Sequence, residues 1–201
     1  MKVYTTHEIS DIVDALKEGE VIAVPTDTVY GLCASIEVHE SQEKLRDIKH
    51  RPKDKAFPIM FANLKQIESL CEISDVDRII IQEYMPGPIT LVLKKKEEVD
   101  GYINGGMDTI AIRMATSKEL ESIIMESGPV YMTSANLSGE KVCQTPEEIW
   151  NSCKGIAGIL EGDIKFQQAS TIVDCTNNYA VVRKGPITQE DIDKVIREKR
   201  Q

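Results

Sequence analysis

With 201 residues, 41% apolar and 28% charged, the chain is long enough for one domain with a substantial core and is unlike a disordered or low-complexity segment. Lys and Arg total 24 against 33 Asp and Glu, and the net charge of -9 excludes a coat of phosphate contacts over the whole surface, confining any polyanion site to a local basic patch. The opening MKVYTTHEISDIVDAL carries acids where a secretory leader has its apolar core, and no apolar run approaches the roughly 18 residues of a membrane span, so a cytoplasmic protein without a membrane partner is expected.

In chain order, Ile9, Ile12, Val13 and Leu16 recur at helical spacing, behind a capping-box pattern at Thr5 and Glu8 and ahead of Gly19. Val21 to Val24 reads as a buried strand feeding the polar segment PTDTVYG. Ser41 to Ile48 predicts a helix that delivers the basic cluster KHRPKDK, Lys49 to Lys55. Ile59 to Phe61 predicts a strand, and Ser74 to Met85 a helix stopped by Pro86-Gly87-Pro88. Strands at Ile89 to Leu93 and Thr109 to Met114 flank a connection with Gly101, Gly105 and Gly106, read as a mobile loop. A helix (Ser117 to Met125), a strand (Val130 to Thr133) and a helix (Thr145 to Cys153, Pro146 at its first position) follow. Strands at Gly158 to Leu160, Thr171 to Asp174 and Val181 to Arg183 precede a closing helix from Thr188. The expected fold class is α/β, a twisted mixed β-sheet with helices packed over it, in one domain spanning residues 1–201.

Five widely spaced cysteines, with no C-x-x-C pair, read as small buried hydrophobes in a reducing compartment. His7, His39 and His50 lie in polar surroundings and read as surface residues. The standard phosphate, dinucleotide, zinc and serine-hydrolase signatures are absent.

Four clusters remain, each at an expected strand end: Thr26 to Gly31, Lys49 to Lys55, Thr109 to Arg113, and Thr133 to Gly139. Cations beside hydroxyls and amides suit a triphosphate, because Lys and Arg neutralise its charge and Ser, Thr and Asn donate directional hydrogen bonds. Spacing alone leaves open a solvated charge run for KHRPKDK and a turn or helix cap for TSANLSG. Arg113 differs, since a cation inside the alternating run TIAIR needs a partner if it points inward.

Taken together, VPTDTVYGL at 24–32, KHRP at 49–52, PGPITLVL at 86–93, DTIAIRM at 108–114, TSANLSG at 133–139, STIVD at 170–174 and VVRKGPI at 181–187 resemble, in this order, the YrdC/Sua5 family of threonylcarbamoyl-AMP synthases. The resemblance implies a YrdC-like open α/β fold. It also implies a reaction of L-threonine, bicarbonate or CO2, and ATP, assisted by Mg2+, that yields threonylcarbamoyl-AMP and pyrophosphate for a tRNA modification. By the same resemblance Thr28, Arg113, Met132, Ser170 and Thr171 fall on the threonine side, and Lys49, Arg51, Lys55, Thr109, Ser134, Asn136 and Arg183 on the ATP side. Lys49 and Arg51 would act electrostatically, without a protein nucleophile. Lys55 stands where some members have Asn, and Met60 where many have His. Implied partners are a downstream tRNA threonylcarbamoyl-transfer complex and weakly bound tRNA or double-stranded RNA. The chain's length resembles the short single-domain members. Two competing readings are an RNA-binding module and a carbamoyl-transfer domain like that of hydrogenase-maturation enzymes.

Overall fold

The computed structural model describes residues 1–164 and 169–199. Its strands are β1 (Val3–Tyr4), β2 (Ile22–Pro25), β3 (Tyr30–Ser35), β4 (Ile59–Phe61), β5 (Ile89–Lys94), β6 (Thr109–Met114), β7 (Val130–Ser134), β8 (Gly158–Leu160), β9 (Thr171–Asp174) and β10 (Ala180–Arg183). Its helices are α1 (Ile9–Lys17), α2 (His39–Lys49), α3 (Leu64–Leu70), α4 (Asp75–Tyr84), α5 (Lys118–Ser127), α6 (Pro146–Ser152) and α7 (Gln189–Lys199). The strands form one mixed sheet in the order β1-β8-β2-β3-β7-β4-β6-β5-β9-β10. Parallel pairs such as β4 with β6 occur beside antiparallel ones such as β3 with β7, as expected of a mixed α/β sheet. Among the described residues no helix is long and apolar enough to cross a membrane.

Strand alternation sends neighbouring side chains to opposite faces, and that places the site. On one face Leu32, Ile59, Leu91, Leu93, Ile110, Ile112 and Tyr131 join residues of α2, α3, α4, α6 and α7 in the larger core. On the other, Ile22, Val24, Cys33, Met60, Val130 and Met132 pack under Ile12 and Leu16 of α1 and Leu120, Ile123 and Ile124 of α5. That second core contains no residue of β6, β5, β9 or β10 among those described. With Ile110 and Ile112 committed to the larger core, Thr109, Ala111 and Arg113 must face the half of the sheet that α1 and α5 leave uncovered. Thr90 and Val92 of β5 face the same way.

Several elements differ from expectation. β3 runs directly out of the PTDT turn as a strand buried on both faces, so its six residues lack the alternation that marks a half-exposed strand. α3 is short, buries Ile67 and is capped by Asn63. The connection read as mobile contains a 3-10 turn, Gly101–Asn104, with buried Ile103 and Asn104. Asn104 Nδ2 donates to the carbonyls of Met107 and Thr109, and Tyr102 Oη donates to Ile36 O, which ties this connection to β3's exit. At the start of α1, Thr5 donates through N and Oγ to Glu8, but Glu8 itself occupies the cap position, so the expected box sits ahead of the helix. The cysteines are free, four buried and Cys175 half-buried, and the three histidines are exposed.

Candidate active site

Two clusters of expected residues form, one on the turn of the β2–β3 hairpin and one beside it at the end of β7. The first is built on the PTDT turn. Thr26 Oγ1 donates to Val29 O at 2.6 Å and accepts from Thr28 N and Val29 N, which stiffens the turn and lifts Asp27 to its tip. There Arg113, 9% exposed, donates through Nη2 to both Asp27 carboxylate oxygens, at 2.8 and 3.1 Å, and to Gly87 O at 3.3 Å. Both side chains of this ion pair are 10% exposed. Arg113 Nε is buried and has no hydrogen-bond partner among the described residues. In register with Arg113 on β4 is Met60, fully buried.

Arg183 adds a second cation. Its Nε and Nη2 donate to Ser170 O at 3.0 and 2.8 Å and Nη2 also donates to Ser170 Oγ at 2.9 Å. Ser170 Oγ lies 2.8 Å from Thr90 Oγ1 on the uncovered half of the sheet. Burial, and then the Arg113 charge, pull the Arg183 pKa below its ordinary value, so the two guanidiniums share one electrostatic field. Beside Asp27 opens a cavity of about 260 Å³, walled by Pro25 and Thr26, by Thr116 and Ser117 at the start of α5, and by Leu160 to Asp163.

The second cluster is built around Lys49 at the end of α2, 2% exposed. Its ammonium donates to the carbonyl of Ser134, to Asn136 O at 2.7 Å and to Asn136 Oδ1 at 3.3 Å. Ser134 Oγ donates to Asn136 Oδ1 at 2.6 Å, and Asn136 Nδ2 donates to the carbonyls of Leu137 and Glu140 at 2.7 and 2.9 Å. Burial pushes the Lys49 amine down to about 8, with the Arg51 charge adding to the effect. Arg51 Nε and Nη2 donate to Lys55 O at 3.1 Å and Ala56 O at 2.7 Å. The two clusters meet through the sheet: Gly31 of β3 is paired with Ser134 of β7, and Ala135 N donates to Tyr30 O. A Cβ on Gly31 would lie 2.4 Å from Met132 Sδ, so that thioether packs directly over the hairpin.

The remaining expected residues stand apart from these contacts. Lys55 contributes its carbonyl while its side chain is exposed. Thr109 opens β6, and its carbonyl accepts from Asn104. Thr171 Oγ1 donates to Ile187 O and accepts from Ile187 N, holding the Gly185 turn. Asp27 lay inside the Thr26 to Gly31 cluster, but its pairing with Arg113, 86 positions away, was not anticipated, and neither was Arg46, which lies in a helix with other charges.

A family model described as telomere recombination, Sua5/YciO/YrdC, matches residues 14–185. The chain belongs to the Sua5/YciO/YrdC family. It is 34% identical over 191 residues to threonylcarbamoyl-AMP synthase of Pyrococcus abyssi, covering 91% of this chain and 55% of that protein. It is 30% identical over 182 residues to threonylcarbamoyl-AMP synthase of Photobacterium profundum, covering 88% of this chain and 98% of that protein. The crystal structure of Sua5 from P. abyssi complexed with L-threonine superposes with a TM-score of 0.89 at 31% identity, covering 98% of this chain and 61% of that one. The chain thus spans about half the length of the P. abyssi relative and nearly all of the Photobacterium one. As a Sua5/YciO/YrdC fold it carries both clusters within the matched span, since Asp27, Lys49, Arg113, Ser134 and Arg183 all fall inside residues 14–185.

Proposed function

We propose that this chain is a threonylcarbamoyl-AMP synthase, joining L-threonine, bicarbonate or CO2, and ATP to give L-threonylcarbamoyl-AMP and pyrophosphate. The observation that carries the reading is Arg113: a cation on an apolar strand, buried, oriented by Asp27, with Nε unpartnered. That is a seat for an anionic group on a small ligand, because guanidinium donors match carboxylate geometry and the low-dielectric wall strengthens the attraction. The P. abyssi relative solved with L-threonine, and relatives named for the synthase, support the same choice.

In this reading Arg113, Thr28 and Ser170 face threonine, Met132 supplies apolar wall, and Thr171 holds the turn behind them. Arg51, Ser134, Asn136, Thr109, Arg183 and Lys55 face ATP, with Lys49 serving the ATP side by fixing the Ser134–Asn136 segment. The threonine amine adds to CO2, forming a carbamate and releasing a proton. A carbamate oxygen forms a bond to the α-phosphorus of ATP while the bond to the bridging oxygen breaks, and pyrophosphate leaves. The residues hold the two reactants in line and offset the charge on phosphorus and on the leaving group. Among the described residues no three His, Cys, Asp or Glu side chains gather into a metal site, so Mg2+ would arrive on the phosphates and no step is assigned to it. The product would pass to a tRNA-modifying partner, with weak contact to RNA at the basic 49–55 segment.

The test is pyrophosphate release by the purified chain with ATP and bicarbonate and one amino acid at a time. Release stimulated by threonine well above serine, valine or no amino acid is expected. Release independent of the amino acid contradicts the proposal.

A further inference from the structure

Besides Lys49, α2 carries a second buried cation, Arg46. It is 5% exposed, and its Nη1 donates to Pro52 O at 2.7 Å and to Lys55 O at 3.2 Å. The same Lys55 carbonyl accepts from Arg51 Nε at 3.1 Å, so one oxygen holds both guanidiniums. Both also lie over the ring of Phe57, with their central carbons 5.2 Å (Arg46) and 4.8 Å (Arg51) from its centroid. Arg51 N donates to Arg46 O at 3.0 Å, closing the turn from the backbone side.

Two like charges packed on one ring and one carbonyl repel each other, and the arrangement persists only if surrounding contacts over-determine it. The acid nearest to Arg46 gives little relief: Glu43 Oε1 is 3.5 Å from its Nε, half exposed, and Nε makes no hydrogen bond. A helix-end Arg serving stability alone could reach solvent without this penalty. What the arrangement accomplishes is a rigid Arg51. Two of its three nitrogens are tied to carbonyls, its central carbon sits over the Phe57 ring, and the 52–55 turn carrying the Lys55 carbonyl is itself tied down by Arg46. A preorganised guanidinium loses less freedom on meeting a phosphate than a free one.

We propose that Arg46 and Phe57 are positioning residues for Arg51, holding its guanidinium in the orientation that meets the phosphates of ATP. The consequence for ATP rests on the function proposed above; the positioning itself does not. The test follows the Arg51 Nε–Hε resonance in 15N-labelled protein, assigned by its loss in Arg51→Lys, and ATP binding by calorimetry with ATP alone. Wild type should show a sharp, slowly exchanging Arg51 signal. Arg46→Met should broaden or remove it and weaken ATP binding by about tenfold, the scale of one lost charged contact. Arg46→Lys keeps the charge but not the planar fork, so it should restore thermal stability without restoring the signal. Phe57→Leu removes the stacking surface while leaving an apolar side chain, and should lose the signal even if Arg46→Met fails to fold. A wild-type Arg51 signal in folded Arg46→Met or in Phe57→Leu overturns the proposal. A lost signal with unchanged ATP affinity overturns the phosphate half of it. Wild-type protein that binds no ATP defeats the proposed function and the phosphate half together, while the resonance still decides the positioning.

Discussion

Asp27 and Arg113 provide a perturbation whose size follows from burial. Each side chain is 10% exposed, and Arg113 Nη2 divides its hydrogen bonds between the Asp27 carboxylate and Gly87 O. Removing either partner leaves the other charged and buried, which costs about 3–5 kcal/mol in comparable pairs, whereas removing both is often close to neutral. Arg113→Met should therefore lose about 3–5 kcal/mol by urea titration, or roughly 6–20 °C in Tm for a chain of this size. Asp27→Asn should lose a similar amount, because the Arg113 guanidinium then stays buried without a compensating carboxylate. The double variant Asp27→Asn/Arg113→Met should recover most of the loss. Since the two single losses sum to about 6–10 kcal/mol and the double variant should lie close to neutral, a coupling energy of roughly 5 kcal/mol or more is expected from the cycle, far above the roughly 0.5 kcal/mol of independent sites. The double variant, being folded, is also the proper vehicle for kinetics: it should release no threonine-dependent pyrophosphate. Additive stability losses within about 0.5 kcal/mol would refute the ion-pair argument, and threonine-dependent turnover in the folded double variant would refute the role of Arg113.

Three further outcomes follow from local structure. A Cβ on Gly185 would lie 2.3 Å from Thr171 N and 2.7 Å from Thr171 Oγ1, so Gly185→Ala should destabilise by about 1–3 kcal/mol or more in urea titration. Because burial lowers Lys49 to about 8, the unfolded chain holds a proton between about pH 8 and 10.5 that the native chain lacks. Stability of wild type relative to Lys49→Met should therefore rise with pH across that window, by at most roughly 3 kcal/mol since the three acceptors around the ammonium limit the shift; a flat difference contradicts it. Burial raises Cys33 and Cys71 to about 12 and Cys153 to about 11, so iodoacetamide at neutral pH should leave all three unlabelled in native protein and label them in urea, by mass.

The elements with clear periodicity, such as α1, α4, α5 and β6, are readable because one face of each meets a core and the other meets solvent or ligand. β3 escaped notice because a strand buried on both faces has no alternation, and α3 because it buries one residue, Ile67. At the site the cations and hydroxyls were visible as types, but their partners were not. Lys49 looked like a free cation and is instead enclosed by the carbonyls it organises. Asp27 stood in the Thr26 to Gly31 cluster with no role of its own and is the counter-charge that orients Arg113. Both facts depend on contacts between segments more than 80 positions apart, which carry no periodic trace in the chain.

The most direct test of the central claim is mass spectrometry of products formed by the purified chain from ATP, L-threonine and 13C-bicarbonate. An acyl-adenylate carrying the threonine residue and one heavy carbon, present when threonine is added and absent without it, is the predicted product. ATP cleaved to other products, or an adenylate that lacks the label, would contradict the account.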